Sequence, residues 1–260
     1  MSLDALGLGP LEAEFWRIAF LMTRVMAALL AAPLFGAMGV PMLVRLAASG
    51  AIAVFTASWS QVTVPQDLFS FAGFIAVLWE ATIGLALGFL LQLAFAAPLI
   101  AAEVISGAMG LGMALAADPG SGGQTTSIGQ FYTIVLTLVF LGLGGHLVWF
   151  RLLVESYDAL PPGAAALSPQ TFLQVSAFAR DAFAAAATIA LPIVLALLVM
   201  QLLTGVLSRS APALNLFALG LPAGVLAGIG ALMLFLPATI EQMETLSLTA
   251  LTALQDLLVT

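Results

Sequence analysis

Apolar residues along this chain fall into long runs separated by proline, glycine and short polar clusters, and each run predicts a helix. The first extends from about 12 to 32 and stops at Ala32-Pro33; the second, from 42 to 59, is followed by a polar turn from Ser60 to Asp67 that holds Pro65. A third runs from 69 to 91 and continues to Ala117, with Gln92 and Pro98 as interruptions. Asp118-Pro119-Gly120-Ser121-Gly122-Gly123-Gln124 is then the strongest loop signal in the chain, because proline stops a helix and consecutive glycines give it no support. The pattern from Ile128 to Asp158 predicts one helix of about 46 Å, longer than a hydrocarbon core of about 30 Å, ended by Pro161-Pro162-Gly163. Ser168-Pro169 reads as N-cap and first residue of a helix reaching Ser208, kinked at Pro192. A run from 212 to 236 ends at Pro237, and a weakly amphipathic stretch follows from Thr239, expected to lie against a partner or the membrane surface.

Composition turns these runs into membrane helices. Of 260 residues, 62% are hydrophobic and 7% charged, and the mean hydropathy is +1.17, whereas a soluble domain is about 25% charged. Too little charge exists to cover the surface with solvated groups, so lipid must cover much of it. The expected fold is all-α: a polytopic integral membrane protein of about six to eight long, tilted helices, interrupted by Gly and Pro and forming hairpins, in one unit over residues 1–260. The net charge of −7 and the scattered Arg17, Arg24, Arg45, Arg151, Arg180 and Arg209 exclude a nucleic-acid partner. With no cysteine, disulfides, thiolate metal sites and thiol nucleophiles are excluded. Asp4, Glu12 and Glu14 precede the first arginine, unlike the basic start of a signal peptide, so the first helix is expected to be retained.

Few residues offer chemistry. His146 is the only histidine and is expected to be structural and hydrogen-bonded, with no metal site and no cofactor. Gly144-Gly145 beside it suggests a backbone crossing. Gly120-Ser121-Gly122 with His146 has a superficial likeness to a rhomboid protease, and Tyr157-Asp158 to half of an intramembrane aspartyl protease, but neither set is complete and catalysis is not expected. Glu80, Gln92, Glu103, Asp118 and Arg209 interrupt or border apolar sequence. In an ion-coupled small-solute transporter, Glu80 and Glu103 would be ligands; otherwise each faces a neighbouring helix, another subunit or an aqueous lumen. Gly84 and Gly88, like Gly224 and Gly228, have the four-residue spacing that lets helices approach closely. From Ser106 to Met113, Gly107, Gly110 and Gly112 weaken the helix, while Met109 and Met113 place two deformable thioethers on one face just before the Pro-Gly loop. Such a segment can close a passage and yield to cargo.

Three stretches together resemble the FliR/SctT family, subunits of the type III secretion export gate. The first is Gly84 to Asp118 flowing into PGSGGQTTSIGQF. The second is Gly145-His146-Leu147 followed by Leu153-Val154-Glu155-Ser156-Tyr157 and Leu160-Pro161. The third is the R-x-x-P-x-L-N-x-F-x-x-G-x-P pattern, carried by Arg209, Pro212, Leu214, Asn215, Phe217, Gly220 and Pro222. The likeness extends over essentially the whole chain.

The resemblance implies a subunit without enzymatic activity that joins FliP and FliQ, with FlhB and FlhA nearby, in the bacterial inner membrane within the flagellar basal body; an injectisome subunit is the alternative. Unfolded export substrates would cross the membrane through that complex. It further implies that a loop matching Gly107 to Gly129 plugs the closed channel, which makes Met109, Met113, Asp118, Pro119, Gly120, Ser121, Gly122, Gly123 and Gln124 candidate gating residues. Arg209, Pro212, Asn215, Gly220 and Pro222 would serve assembly, along with Gly84, Gly88, Glu103 and His146. Many relatives have a basic residue soon after the final G-x-P, where this chain has Ala223-Gly224.

Overall fold

The computed structural model describes residues 9–37, 39–59, 65, 70–111, 126–163, 168–210 and 216–259. Among them are seven helices and no strand: α1 Gly9–Ala31, α2 Met42–Trp59, α3 Phe71–Ala108, α4 Ser127–Gly142, α5 Gly145–Ala159, α6 Pro169–Ser210 and α7 Leu216–Val259. The chain is thus an all-α polytopic membrane protein. Four of the helices, α2, α3, α6 and α7, are each long and apolar enough to cross a membrane, α4 and α5 are so only when taken together, and α1 is not. At about 1.5 Å per residue, α3, α6 and α7 are each roughly 57 Å or more in length, well beyond a hydrocarbon core of about 30 Å.

Several expectations from the sequence change. The helix expected from Ile128 to Asp158 is broken: Gly144 adopts φ +69°, a left-handed conformation that ends α4 and starts α5. A side chain at that φ is strained, so the glycine pair works as a corner. Pro237 ends nothing, and α7 runs through both Pro222 and Pro237; likewise α3 runs through Gln92 and Pro98 to Ala108. A proline inside a helix deletes one hydrogen bond and crowds the preceding turn, and in a polytopic protein packing across the helix outweighs that loss. Finally, the apolar stripe of the C-terminal stretch is covered by the chain itself: Met243, Leu246, Leu251, Leu254 and Leu257 are buried. Helix α3 also ends at Ala108, short of the expected Ala117, where Gly110 turns the backbone into the left-handed region, while α2 and the start of α6 fall where the sequence places them. Ser168 Oγ accepts from the Thr171 N–H at 3.3 Å, capping α6 at Pro169.

Backbone contacts divide the chain into two compact units, Met1–Leu93 with Gly144–Phe178 and Thr249–Thr260, and Ala94–Leu143 with Ala179–Leu248. In the first, α1 and α2 form a hairpin closed at both ends by arginines. Arg17 donates to the Ala57 carbonyl at 3.0 Å, near the end of α2, and Arg45 donates to the Phe35 carbonyl at 2.8 Å, just beyond α1. Guanidinium groups there satisfy carbonyls that a helix end leaves unpaired. Leu21, Val25, Ile83, Leu87, Trp149 and Leu153 fill the interior, with the Trp149 indole N–H donating to the Leu87 carbonyl at 3.3 Å. In the second unit Phe95 meets Phe140 edge-on, at 5.6 Å between centroids, among buried Ile105, Tyr132, Leu136, Ile193 and Leu197.

Candidate functional site

The candidate gating segment starts at the end of α3 and finishes at the start of α4, both in the second unit. Helix α3 stops in a Schellman motif: Gly110 takes φ +81° and donates to the Gly107 carbonyl at 3.0 Å, and Leu111 N–H donates to the Ser106 carbonyl at 3.0 Å. Gly110 is therefore the residue that terminates the helix. Gly107 is exposed, with open space where a side chain would project. At the other end of the segment, Thr126 is the N-cap of α4. Its Oγ1 accepts from Gly129 N–H at 3.1 Å and from the Ser106 hydroxyl at 3.0 Å, and it donates to Glu103 Oε1 at 3.0 Å. Thr126 N–H donates to the same carboxylate oxygen at 3.1 Å. One hydroxyl thus uses its donor and both lone pairs to bind the entry of the loop to its exit. Glu103 supplies an anion to the start of α4, where the helix dipole favours one.

Met109 lies between these anchors and is 3% exposed. Its side chain lies against Gly228, so closely that a Cβ on residue 228 would overlap the thioether, and a Cβ on Gly224 would lie 3.4 Å from the Met109 carbonyl oxygen. The Gly224/Gly228 pair therefore serves as a notch for methionine. Met109, Leu111, Ile128, Phe131, Ile229 and Met233 help line an almost wholly apolar cavity of about 490 Å³. Gly112, Met113, Asp118, Pro119, Gly120, Ser121, Gly122, Gly123 and Gln124 lie outside the described residues, as do Pro212 and Asn215. Arg209 is exposed in the last turn of α6, while Gly220 and Pro222 stand in the first two turns of α7, Gly220 half-buried and Pro222 exposed.

The strongest polar site was not singled out by sequence reading. In the first unit Arg24 and Glu80 are 0% and 1% exposed and form a two-pronged pair, Nε to Oε2 at 2.8 Å and NH2 to Oε1 at 2.9 Å. The other guanidinium protons go to the Ser156 carbonyl at 2.6 Å, the Ser156 hydroxyl at 3.1 Å and the Leu160 carbonyl at 2.8 Å. All five donors are used, two of them on carbonyls at the end of α5. The guanidinium carbon lies 4.3 Å from the centre of the Tyr157 ring, whose hydroxyl donates to the Leu21 carbonyl at 2.6 Å. Gly84 and Gly88 follow Glu80 at four-residue steps on the same face of α3. A Cβ on Gly84 would overlap the Arg24 carbonyl, and one on Gly88 would sit 2.6 Å from Ala31 Cβ. At these glycines α3 lies close against the α1 backbone, and the ion pair forms one turn away. A usable signal existed: an arginine and a glutamate, each within a long apolar run, must each find a partner.

His146 departs from expectation. It is half-buried, and its buried Nδ1 has no hydrogen-bond partner among the described residues. Among those residues, no group of acidic or histidine side chains could hold a metal ion.

Comparison with known proteins identifies the family. Residues 15–250 match the family of bacterial export proteins, family 1. The chain is 32% identical over 227 residues to the flagellar biosynthetic protein FliR of Escherichia coli K12, covering 87% of this chain and 85% of that protein. FliR of Pectobacterium carotovorum is 33% identical, covering 82% of each chain, and FliR of Aquifex aeolicus is 33% identical, covering 82% of this chain and 83% of its own. The match spans α2 to α6 from end to end, all but the first turns of α1 and all but the last turns of α7; the chain belongs to the bacterial export proteins of family 1, the family of FliR.

Proposed function

We propose that this chain is a wall-forming subunit of a flagellar export gate in the bacterial inner membrane, and that residues 106–129 form its closed barrier. Family membership makes it a membrane component of the flagellar export apparatus. The finer reading adds FliP and FliQ as neighbours in a hetero-oligomeric gate, FlhB and FlhA as further contacts, and unfolded flagellar substrates as cargo.

The observation that carries the reading is the tether around the loop: a Schellman stop at Gly110, and Thr126 bound to Glu103 and Ser106, both beside an apolar cavity. A conduit for unfolded polypeptide must be chemically indifferent when open and ion-tight when closed, since one charge crossing 100 mV releases about 2.3 kcal/mol. Apolar, deformable side chains meet both demands, because an apolar constriction excludes water and ions and imposes no preference on cargo sequence. Deleting Asp118 to Gln124 should raise ion leakage through the assembled complex without impairing assembly; unchanged conductance refutes the barrier role. Co-purification should recover the chain in a pore-shaped particle with several copies of small helical membrane proteins.

Ion-coupled transport is the weaker reading. Both carboxylate oxygens of Glu80 are engaged by Arg24, and Glu103 is engaged at the α4 cap, so neither stands ready to exchange an ion.

A further inference from the structure

Helix α1 is not apolar enough to cross a membrane by itself. It carries Glu12, Glu14, Arg17 and Arg24, and Arg24 stands in the middle of its apolar stretch from Ile18 to Ala31. Arg24 is fully buried, and every group that receives its protons is made later in synthesis. Glu80 lies 56 residues downstream, Ser156 and Leu160 lie 132 and 136 residues downstream. Until α3 is made, the guanidinium lacks the carboxylate that it meets in the folded chain, and an unpaired cation at the middle of a helix opposes insertion. Glu80 differs in its setting, because α3 is 38 residues long and otherwise uncharged apart from Glu103. It can enter the bilayer carrying one carboxyl group.

We infer that Glu80 is an insertion partner: α1 becomes a stable membrane helix only when α3 arrives and delivers its carboxylate to Arg24. The Gly84 and Gly88 face lets α3 meet α1 backbone to backbone at that moment, which is the contact that excludes water from the pair. The first three helices thus settle as a set rather than one by one. This inference concerns membrane assembly of the chain and does not depend on the barrier role of residues 106–129.

The full-length chain can report its own topology, because it contains no cysteine. Two reporters are introduced separately, Ser2→Cys and Gly39→Cys; a side chain at Gly39 meets nothing within 4 Å. Each is labelled with a membrane-impermeant maleimide in intact spheroplasts and in inverted vesicles, counted per chain present. With Arg24 and Glu80 intact, the two positions should label from opposite faces. Glu80→Gln should raise the share of chains in which both label from the same face by about fivefold or more. Arg24→Met should leave the reporters on opposite faces, and adding it to Glu80→Gln should restore them there. Two results overturn the inference: opposite-face labelling in Glu80→Gln, or failure of Arg24→Met to rescue it. The rescue arm separates an uncompensated cation from general misfolding, since a merely misfolded Glu80→Gln chain would not recover when a second buried residue is changed.

Discussion

The side chain of Met109 occupies the space that any side chain on residue 228 would need. A glycine pair whose spacing suggests helix-to-helix packing instead receives a thioether from the end of α3, and that thioether borders the apolar cavity beside the loop. Gly228→Ala should therefore displace Met109 and destabilise the second unit by about 1–3 kcal/mol, the usual cost of overpacking. Combined with Met109→Ala, the loss should fall well short of the sum of the two single losses. Thermal unfolding of the detergent-solubilised complex measures both, and simple additivity would show that the two residues do not share one space.

Gly84 and Gly88 should tolerate substitution unequally with residue size but neither should accept alanine freely. Each added Cβ meets backbone or a Cβ of α1, which has no flexible end to move aside. Gly84→Ala should cost about 1–3 kcal/mol or more and lower the yield of assembled complex. Gly205→Ala, in open space on α6, is the control and should be neutral or slightly stabilising.

At Gly144 the cost should come from the backbone alone. Nothing lies within 4 Å of a Cβ there, but φ is +69°. Gly144→Ala should lower stability by about 1–2 kcal/mol, and Gly144→Asn by less, because asparagine adopts the left-handed region more readily. A melting-temperature series over the two variants checks the order.

Thr126→Val should remove the hydroxyl that joins Glu103, Ser106 and Gly129 while keeping side-chain shape. Loss of an N-cap costs about 1–2 kcal/mol. Faster hydrogen exchange over residues 127–131, with the rest of α4 unchanged, is the expected signature. If the loop is the barrier, the same variant should also leak ions in the assembled complex.

Several features were legible in the chain because they depend only on local chemistry. The ends of α2 at Met42 and Trp59, the start of α6 at Ser168-Pro169, and the stop at Pro161-Pro162-Gly163 follow from residues that cannot continue a helix or that cap one. At Gly84 and Gly88 the four-residue spacing puts both residues on one helix face, on which an added Cβ would collide with α1. Pro237 and the Ile128–Asp158 run were misread for opposite reasons. At Pro237 the surroundings outweigh a local breaker, whereas at Gly144 a glycine amid apolar residues changes the chain's direction, which hydropathy cannot reveal.

By itself, the sequence determined that this protein is helical, lives in a membrane and belongs to an export family, because transfer of apolar residues from water is additive along a chain and motifs are local. Only tertiary structure decided which polar group answers which. Arg24 could have met Glu80, Glu103 or a partner's acid, and Gly228 could have met a helix rather than Met109. Those choices rest on distances between residues far apart in sequence, and in a water-poor interior such a pairing must be satisfied in full or not made at all.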